Sequence, residues 1–441
     1  AGLYGADIDP VSVATARISL ALWAWWRGGV RVDVRILGRN LVLADPLVER
    51  PKTWPVGGFD AVLGNPPFLG QLKNTTRRTP ERTVALTERF GAPAGGYVDD
   101  VLLFTLLATE LVDDGGRIML VMPESVLGSA AGALARHAVD ACTVMTHMWF
   151  GDSSTFSTAT VDVVAPVWIR RARSECDDLP VALKGRSGVI ANVSPPRPGE
   201  WQTVLAAHGG VPTVVAQTSG TVSDFASVTA DFRDRYYDLA QMVREGVDHQ
   251  DGPLLATVGL VDPLWFRTDT NVRFAKRTFT SPRVDIGAAP SELTRRWLAE
   301  RMVPKLLVAT QTRVIECLPD PDGELVPSTP LLIVVANNPD DLWLLAAALC
   351  SPYLSSRAAA VAAGTGLAVG SVRLRAAQVG DLALPAVHEP WSEAAELVRS
   401  AHGQRPDPDL WARLGELMNK AYGLDDRSLI TWWLGQMPRR S

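Results

Sequence analysis

Apolar residues recur along residues 1–170 in two rhythms, one typical of buried strands and one typical of helices. Short apolar runs at Leu3–Ile8, Phe59–Leu63 and Arg117–Met122 have the length of buried strands. Between them, Val11–Arg27 and Val98–Leu111 carry apolar residues at helical spacing. Strands that alternate with helices predict an α/β fold with a mostly parallel, doubly wound sheet. In such sheets ligands bind beyond the carboxyl ends of the strands.

The pattern changes after residue 173, which predicts further domains. Residues 174–225 are rich in Pro, Gly, Ser and Thr and predict a linker with irregular loops. Residues 226–390 mix short strands with a few helices and predict an α+β domain. Residues 391–441 predict a helical tail. We therefore expect an α/β domain over residues 1–173, followed by these three regions.

Composition and charge narrow the picture only a little. Of the 441 residues, 47% are hydrophobic and 21% are charged, which is typical of a chain that buries a core. No apolar stretch has the length of a membrane span and no signal peptide is apparent, so we expect a cytoplasmic protein without a membrane partner. The four cysteines show no metal-ligand spacing, so no metal is predicted. The net charge of −5 argues against a polybasic binder but leaves room for a local basic face.

The tetrapeptide Asn65-Pro66-Pro67-Phe68 follows an apolar run and carries the clearest chemistry. An exocyclic amine of adenine or cytosine is a poor nucleophile because its lone pair is delocalised into the ring. The Asn65 side-chain carbonyl and the Pro66 main-chain carbonyl could accept both amine hydrogens and so favour a tetrahedral nitrogen. The prolines stiffen the turn, and Phe68 offers a flat face for a flipped base. We predict Asn65, Pro66, Pro67 and Phe68 as the catalytic residues.

Gly64–Phe68 resembles the catalytic motif of amino-methyltransferases, and residues 1–173 resemble N6-adenine DNA methyltransferases of the restriction–modification type, the N-6 DNA methylase family. The resemblance implies a class I methyltransferase sheet and S-adenosyl-L-methionine as the cofactor. It also implies site-specific methyl transfer to adenine N6 of a base flipped out of double-stranded DNA. Phe156, which precedes the apolar run Val161–Ile169, resembles the aromatic residue that stacks on the target base.

The same resemblance implies where the cofactor binds. Gly5–Pro10 resembles the family's second strand, in which Asp7 would hold the ribose hydroxyls and Ile8 would pack on the adenine ring. Asp45 resembles the acid that contacts the adenine amino group. A rival alignment gives that role to Asn40.

The family's first strand and its Gly-rich cofactor loop have no counterpart in this sequence. The cluster Gly364–Gly370 lies far from the α/β region and predicts a flexible loop. We therefore expect an incomplete sheet and a chain that is a fragment or one half of a split enzyme. A further segment or subunit would then carry the Gly-rich loop. The isolated chain is expected to be inactive and to bind S-adenosyl-L-methionine weakly or not at all.

Residues 226–390 resemble, more loosely, target-recognition regions of restriction–modification methyltransferases, which implies that they bind DNA. The segment Ala230–Tyr237 mixes arginines with aromatic residues. It is either a contact for phosphates and unstacked bases or an amphipathic helix with salt bridges. Candidate phosphate contacts are Arg77, Arg78, Arg82, Arg295, Arg296, Arg301 and Lys305.

Two other functions remain open at the level of the sequence. An RNA or protein-amide N-methyltransferase would use the same tetrapeptide on a planar amine or amide. A non-catalytic DNA-specificity subunit would have no need to keep Asn65 and its prolines.

Overall fold

The computed structural model describes residues 2–55, 58–68, 78–151, 162–171, 179–230, 233–246, 251–268, 270–364 and 372–438. The chain divides into two units, Ala1–Val204 and Leu205–Ser441. The boundary falls inside the stretch 174–225.

The first unit contains nine strands among its described residues: β1 (Gly5–Asp7), β2 (Leu41–Leu43), β3 (Phe59–Gly64), β4 (Val112–Leu120), β5 (Met122–Pro123), β6 (Thr143–Phe150), β7 (Val163–Arg170), β8 (Val181–Gly185) and β9 (Gly188–Val193). Its helices are α1 (Pro10–Gly28), α2 (Val34–Asn40), α3 (Pro80–Phe90), α4 (Asp100–Leu111), α5 (Ala133–Asp140) and α6 (Gln202–His208), the last of which contains the boundary between the units.

The main sheet of this unit has seven strands in the order β3-β4-β7-β6-β8-β9, with β5 pairing onto β7. Strands β3 and β4 are parallel, whereas β7 is antiparallel to both β4 and β6. The sheet is therefore mixed rather than mostly parallel. Residues 151–162 join β6 to β7, which are antiparallel neighbours in the sheet.

Strands β1 and β2 form a separate parallel pair, in which Asp7 lies opposite Leu43. Among the described residues, β1 pairs only with β2, and β3 pairs only with β4. The ring centroids of Tyr4 and Phe59 lie 5.5 Å apart, so the residue before β1 contacts the first residue of β3.

The structure differs from the sequence-based expectation in two loops of this unit. The run Asp113-Asp114-Gly115-Gly116 has residues that favour a turn, yet it lies inside β4, where Gly115 has a φ of 79° and the β3–β4 register shifts. The turn-forming residues therefore produce an irregularity within a strand and not a turn between two elements. Strands β8 and β9 lie in the stretch expected to be irregular, and β8 pairs in parallel with β6. Its alternating Val181 and Leu183 are buried, which explains why a short strand forms among turn residues.

The strands of the second unit are β10 (Thr218–Thr221), β11 (Ala226–Ala230), β12 (Val243–Glu245), β13 (Leu254–Ala256), β14 (Val261–Asp262), β15 (Trp265–Phe266), β16 (Val272–Phe274), β17 (Arg277–Phe279), β18 (Pro282–Val284), β19 (Lys305–Ala309), β20 (Gln311–Thr312), β21 (Glu316–Asp320), β22 (Leu325–Pro327), β23 (Leu332–Ala336), β24 (Val372–Arg373) and β25 (Ala383–Pro385). Its helices are α7 (Val222–Phe225), α8 (Arg233–Met242), α9 (Glu292–Ala299), α10 (Leu342–Leu349), α11 (Pro352–Val361), α12 (Ala376–Gly380), α13 (His388–Ser400), α14 (Pro408–Ala421) and α15 (Arg427–Gln436).

Two four-stranded sheets organise this second unit, in the orders β11-β23-β19-β21 and β12-β18-β13-β22. The largest apolar cluster packs β19, β21 and β23 against α10 and α11 and against the helices of the C-terminal region. No single helix within the described ranges is long and apolar enough to cross a membrane. The bent pair Pro339–Leu349 and Pro352–Val361 passes that test by length and composition only, and α10 lies largely within the apolar cluster.

Candidate functional site

Asp7 ends β1, and its side chain is exposed at the carboxyl end of the strand. The backbone N–H of Asp9 donates to Asp7 Oδ1 at 2.8 Å, which turns the chain into α1. Asp9 then caps the helix by accepting from the backbone N–H groups of Val11 and Ser12, at 3.2 and 3.0 Å. The Ser12 hydroxyl and these N–H groups lower the pKa of Asp9. The turn therefore leaves Asp7 and the neighbouring Ile8, which is 66% exposed, facing solvent beyond the strand.

Asp45 follows β2 and lies at the same edge as Asp7, because the two strands are parallel neighbours. The backbone N–H of Ala44 donates to the Asp7 carbonyl oxygen at 3.0 Å, so the chain stays paired up to the residue before Asp45. Asp45 Oδ1 accepts from the backbone N–H of Leu47 at 3.1 Å, and Asp45 Oδ2 lies 3.3 Å from Arg82 Nη2. Its side chain is 23% exposed. The structure thus brings Asp7 and Asp45 together, as two carboxylates at adjacent strand ends.

Asn40, the rival for the role of Asp45, has a different environment. It is the last residue of α2, is buried, and donates from Nδ2 to the Leu3 carbonyl oxygen at 3.2 Å. The side chain therefore ties α2 to the segment that enters β1. That contact uses one of its two amide donor hydrogens.

The predicted catalytic tetrapeptide begins directly after β3, next to the end of β4. The backbone N–H of Val121 donates to the Gly64 carbonyl oxygen at 3.0 Å, which holds the strand end in place. A Cβ added to Gly64 would lie 3.0 Å from Leu120 Cδ2, so the close approach of the two strands favours glycine. Asn65 is exposed, Pro66 is buried and Phe68 is half-buried. Asn65 is therefore accessible on a turn whose next residue is packed against the unit.

Phe156, the predicted stacking residue, lies outside the described residues, as does Arg77. Asp162 is the first described residue after Phe156 along the chain. Its carbonyl oxygen accepts a hydrogen bond from the backbone N–H of Glu124 at 3.1 Å. Partial burial raises the pKa of the Glu124 carboxyl, and the neighbouring Asp162 carboxylate raises it further. A half-buried acid thus lies just beyond the carboxyl end of β4, the strand beside the tetrapeptide.

Arg78 and Arg82, two of the predicted phosphate contacts, form ion pairs within the protein. Arg78 is buried, and its Nε donates to Asp100 Oδ1 at 2.7 Å. Arg82 lies between Asp45 and Asp100, at 3.3 Å from each. Both arginines therefore balance the charge of Asp100, because burying a carboxylate at the start of α4 requires positive partners. The paired acids Asp99 and Asp100 ahead of an apolar helix were the signal that could have indicated this.

Other predicted phosphate contacts are also engaged within the protein. Lys305 is fully buried and forms an ion pair with Asp320, so its prediction as a surface contact is wrong. Burial lowers the pKa of Lys305, although Asp320 opposes the shift. On α9, Arg295 pairs with Glu292 at 3.2 Å, while Arg296 and Arg301 lie 3.4 and 3.2 Å from Glu300.

Helix α8 covers most of the segment that left two alternatives open. Arg235 Nη1 lies 2.8 Å from Asp238 Oδ2, and the ring of Tyr236 packs 5.0 Å from that of Phe274. Tyr237 is 63% exposed. For the described side chains, these contacts favour the amphipathic helix with salt bridges.

Comparisons with known proteins show which proteins this chain resembles in sequence and in fold. Residues 1–156 match the family model for the Eco57I restriction-modification methylase. The structure is similar to that of the Type IIL restriction-modification enzyme MmeI in complex with DNA, with a TM-score of 0.60 and 13% sequence identity. The match covers 98% of this chain and 65% of that one, so this chain spans less than two thirds of its length. No curated protein sequence matches the chain.

Two further solved structures are similar to a lesser degree. A nuclease-deletion mutant of the Type ISP restriction-modification enzyme LlaGI, in complex with a DNA substrate mimic, gives a TM-score of 0.45 at 14% identity, over 91% of this chain and 41% of that one. The type I restriction-modification methyltransferase subunit from Streptococcus thermophilus gives 0.32 at 18% identity, over 48% and 43% of the two chains.

The first unit therefore has a mixed α/β fold, and the fold of the chain is similar to that of the MmeI enzyme. Residues 1–156 are a restriction–modification methylase region, because they match the Eco57I methylase family model. The family expected from the tetrapeptide and its neighbours is confirmed.

Proposed function

We propose that this protein takes part in site-specific methylation of DNA at adenine N6, on a base flipped out of the duplex. The observation that carries the proposal is the exposed Asn65 amide at the carboxyl end of β3, on a turn whose Pro66 is buried. A stiff turn with two carbonyl acceptors suits an exocyclic amine, because both N–H hydrogens can be accepted at once. No charged base is needed for that step, since the acceptors draw out the nitrogen lone pair.

The adenosine part of S-adenosylmethionine fits the two acids at the ends of β1 and β2. Asp7 retains acceptor capacity for ribose hydroxyls, because an ionised carboxylate offers about four lone-pair sites and Oδ1 uses one for the Asp9 N–H. Ile8 is exposed beside it, which suits packing on an adenine ring. Asp45 suits the adenine amino group better than Asn40, because Asn40 is buried and bonded to Leu3. The cofactor supplies an electrophilic methyl group on a sulfonium sulfur.

We propose that the second unit reads the DNA sequence. Support comes from the similarity over 98% of the chain to an enzyme solved in complex with DNA. Tyr237 on α8 and the arginines Arg295 and Arg296 of α9 are candidate contacts, because all three side chains are exposed. An exposed ring can stack on a base, and the surface ion pairs of these arginines are weak enough to be exchanged for phosphates.

The test is methyl transfer by the protein expressed from its complete gene, with radiolabelled S-adenosylmethionine and either duplex DNA, RNA or protein as the acceptor. We expect transfer to DNA, and we expect Asn65→Ala to lower the rate by at least about 100-fold, as loss of a preorganised electrostatic group does. DNA affinity should stay at the parental value. Asn192→Ala, at an exposed asparagine of β9, is the matched control and should keep full activity.

Two results would contradict the proposal. Activity of Asn65→Ala within a few-fold of the parent would remove the role assigned to Asn65. Transfer to RNA or to a protein amide, with none to DNA, would replace DNA as the substrate.

A further inference from the structure

Helix α3 presents two arginines to the loop that carries Asp45. Arg82 and Arg89 are seven residues apart and therefore lie on the same face of the helix. Arg89 Nη1 donates to the carbonyl oxygens of Pro46 and Leu47, at 2.6 and 3.0 Å. Arg82 Nη2 lies 3.3 Å from Asp45 Oδ2. One arginine thus holds the backbone of the loop, and the other holds its acidic side chain.

Arg82 is itself held by a buried anchor. Its Nη2 lies 3.3 Å from Asp100 Oδ2, and the Asp100 side chain is only 1% exposed. Arg78 fixes Asp100 from the other side, with Nε donating to Oδ1 at 2.7 Å and Nη2 donating to the Val98 carbonyl oxygen at 2.8 Å. Asp100 is the first residue of the buried helix α4. Its contact with Arg82 therefore fixes the position of the Arg82 guanidinium relative to the core of the unit.

The Asp45 carboxylate is thereby fixed at both oxygens. The Leu47 N–H donates to Oδ1 at 3.1 Å, and Arg82 contacts Oδ2. Each oxygen keeps a lone pair, so a carboxylate held in this way can still accept an amino hydrogen. An unheld carboxylate would sample several rotamers and would have to lose that freedom when a ligand binds.

We propose that Arg82 is a positioning residue, which orients the Asp45 carboxylate for the adenine 6-amino group of S-adenosylmethionine. The inference rests on the proposed function, in which Asp45 makes that contact. Arg78 and Arg82 also follow the catalytic tetrapeptide along the chain. The network Arg78–Asp100–Arg82–Asp45 therefore connects the start of α3 with the loop that carries Asp45.

The experiment compares S-adenosylhomocysteine with S-inosylhomocysteine, which differ only at the edge of the base, where inosine has a 6-oxo group and an N1–H in place of the 6-amino group and the bare N1. Their dissociation constants are measured by calorimetry with the protein expressed from its complete gene. The parent should prefer the adenosyl ligand, and Arg82→Met should reduce the ratio of the two constants by about three- to tenfold. A general loss of stability would weaken both ligands together and leave the ratio unchanged. Arg35→Met, at an exposed arginine of α2, is the control and should keep the parental ratio.

Two more variants make each outcome decisive. Arg82→Lys keeps the charge without the planar fork, should give an intermediate ratio, and decides the question if Arg82→Met does not fold. Asp45→Ala should abolish the preference. If Asp45→Ala abolishes it while both Arg82 variants keep the parental ratio, the inference is wrong and the proposed function stands. If Asp45→Ala keeps the preference, or the parent binds neither ligand, the role of Asp45 fails and the inference fails with it.

Discussion

Helices α1 and α4 are both rich in apolar residues and both belong to the α/β region, yet they are buried to very different degrees. Among the 19 residues of α1 only Val13 is buried, and Trp23 and Trp26 are 58% and 74% exposed. Ten of the 12 residues of α4 are buried, including Asp100 at its start. Helix α4 packs on β3, β4 and α5, whereas α1 contacts β1, β2 and α2.

The comparison shows that an apolar sequence does not decide burial by itself. Helix α4 lies against a seven-stranded sheet, so its residues are covered on several sides. Helix α1 lies against a pair of three-residue strands, which cannot cover a 19-residue helix. The interactions that stabilise the first unit should therefore be concentrated around α4. Helix α1 should contribute less per residue to the free energy of unfolding.

The largest difference is expected at the acids that begin the two helices. Asp100→Ala removes the carboxylate that neutralises the charge of the Arg78 side chain and should lower the free energy of unfolding by about 3–5 kcal/mol. Asp9→Ala removes only the N-cap of α1 and should cost about 1 kcal/mol. Urea unfolding of both variants measures the two costs. Equal costs would mean that burial at α4 is not what stabilises the unit.

One leucine from each helix tests the same difference in burial. Leu103 of α4 is fully buried, so Leu103→Ala should cost about 2–5 kcal/mol. Leu22 of α1 is 58% exposed, and Leu22→Ala should change the stability by less than about 0.5 kcal/mol. Thermal unfolding of this matched pair checks the prediction. A large loss at Leu22 would show that α1 is covered in solution by something that packs on its apolar surface.

The smallest effect on stability is expected at Glu124, which lies beyond the carboxyl end of β4. Its pKa is raised from the ordinary 4.5, first by burial and then by Asp162. The stability that the protonated form contributes is present below pH 4.5 and is lost as the pH rises through the folded-state pKa. Glu124→Gln should therefore match the parent below pH 4.5 and be slightly more stable at neutral pH. Urea midpoints over a pH series provide the check, and a constant difference at all pH values would exclude titration of Glu124.

Much of the α/β arrangement could be predicted, because helical and strand periodicity is local. Helix α1, strand β3 and helix α4 agree with the apolar pattern to within about two residues. The antiparallel direction of β7 could not be predicted from its own residues, since direction depends on the connection. Strands β8 and β9 were missed because turn-forming residues surround them.

For the site, positions at strand ends could be predicted, but partners could not. Asp7, Asp45 and Asn65 stand where apolar runs end, which is a local signal. The pairing of Arg82 with Asp45 and Asp100 joins residues that are far apart in sequence, so it could not be predicted from local patterns. Fully buried Lys305 was mistaken for the same reason, because its partner Asp320 lies across a strand pair.

The most direct test of the central claim is sequencing, with detection of methylated bases, of DNA from cells that express the complete gene. Cells that express the Asn65→Ala variant provide the comparison. We predict N6-methyladenine at one recurring sequence in the first sample and none at that sequence in the second. Methylcytosine at the recurring sequence, or equal N6-methyladenine in both samples, would contradict the account.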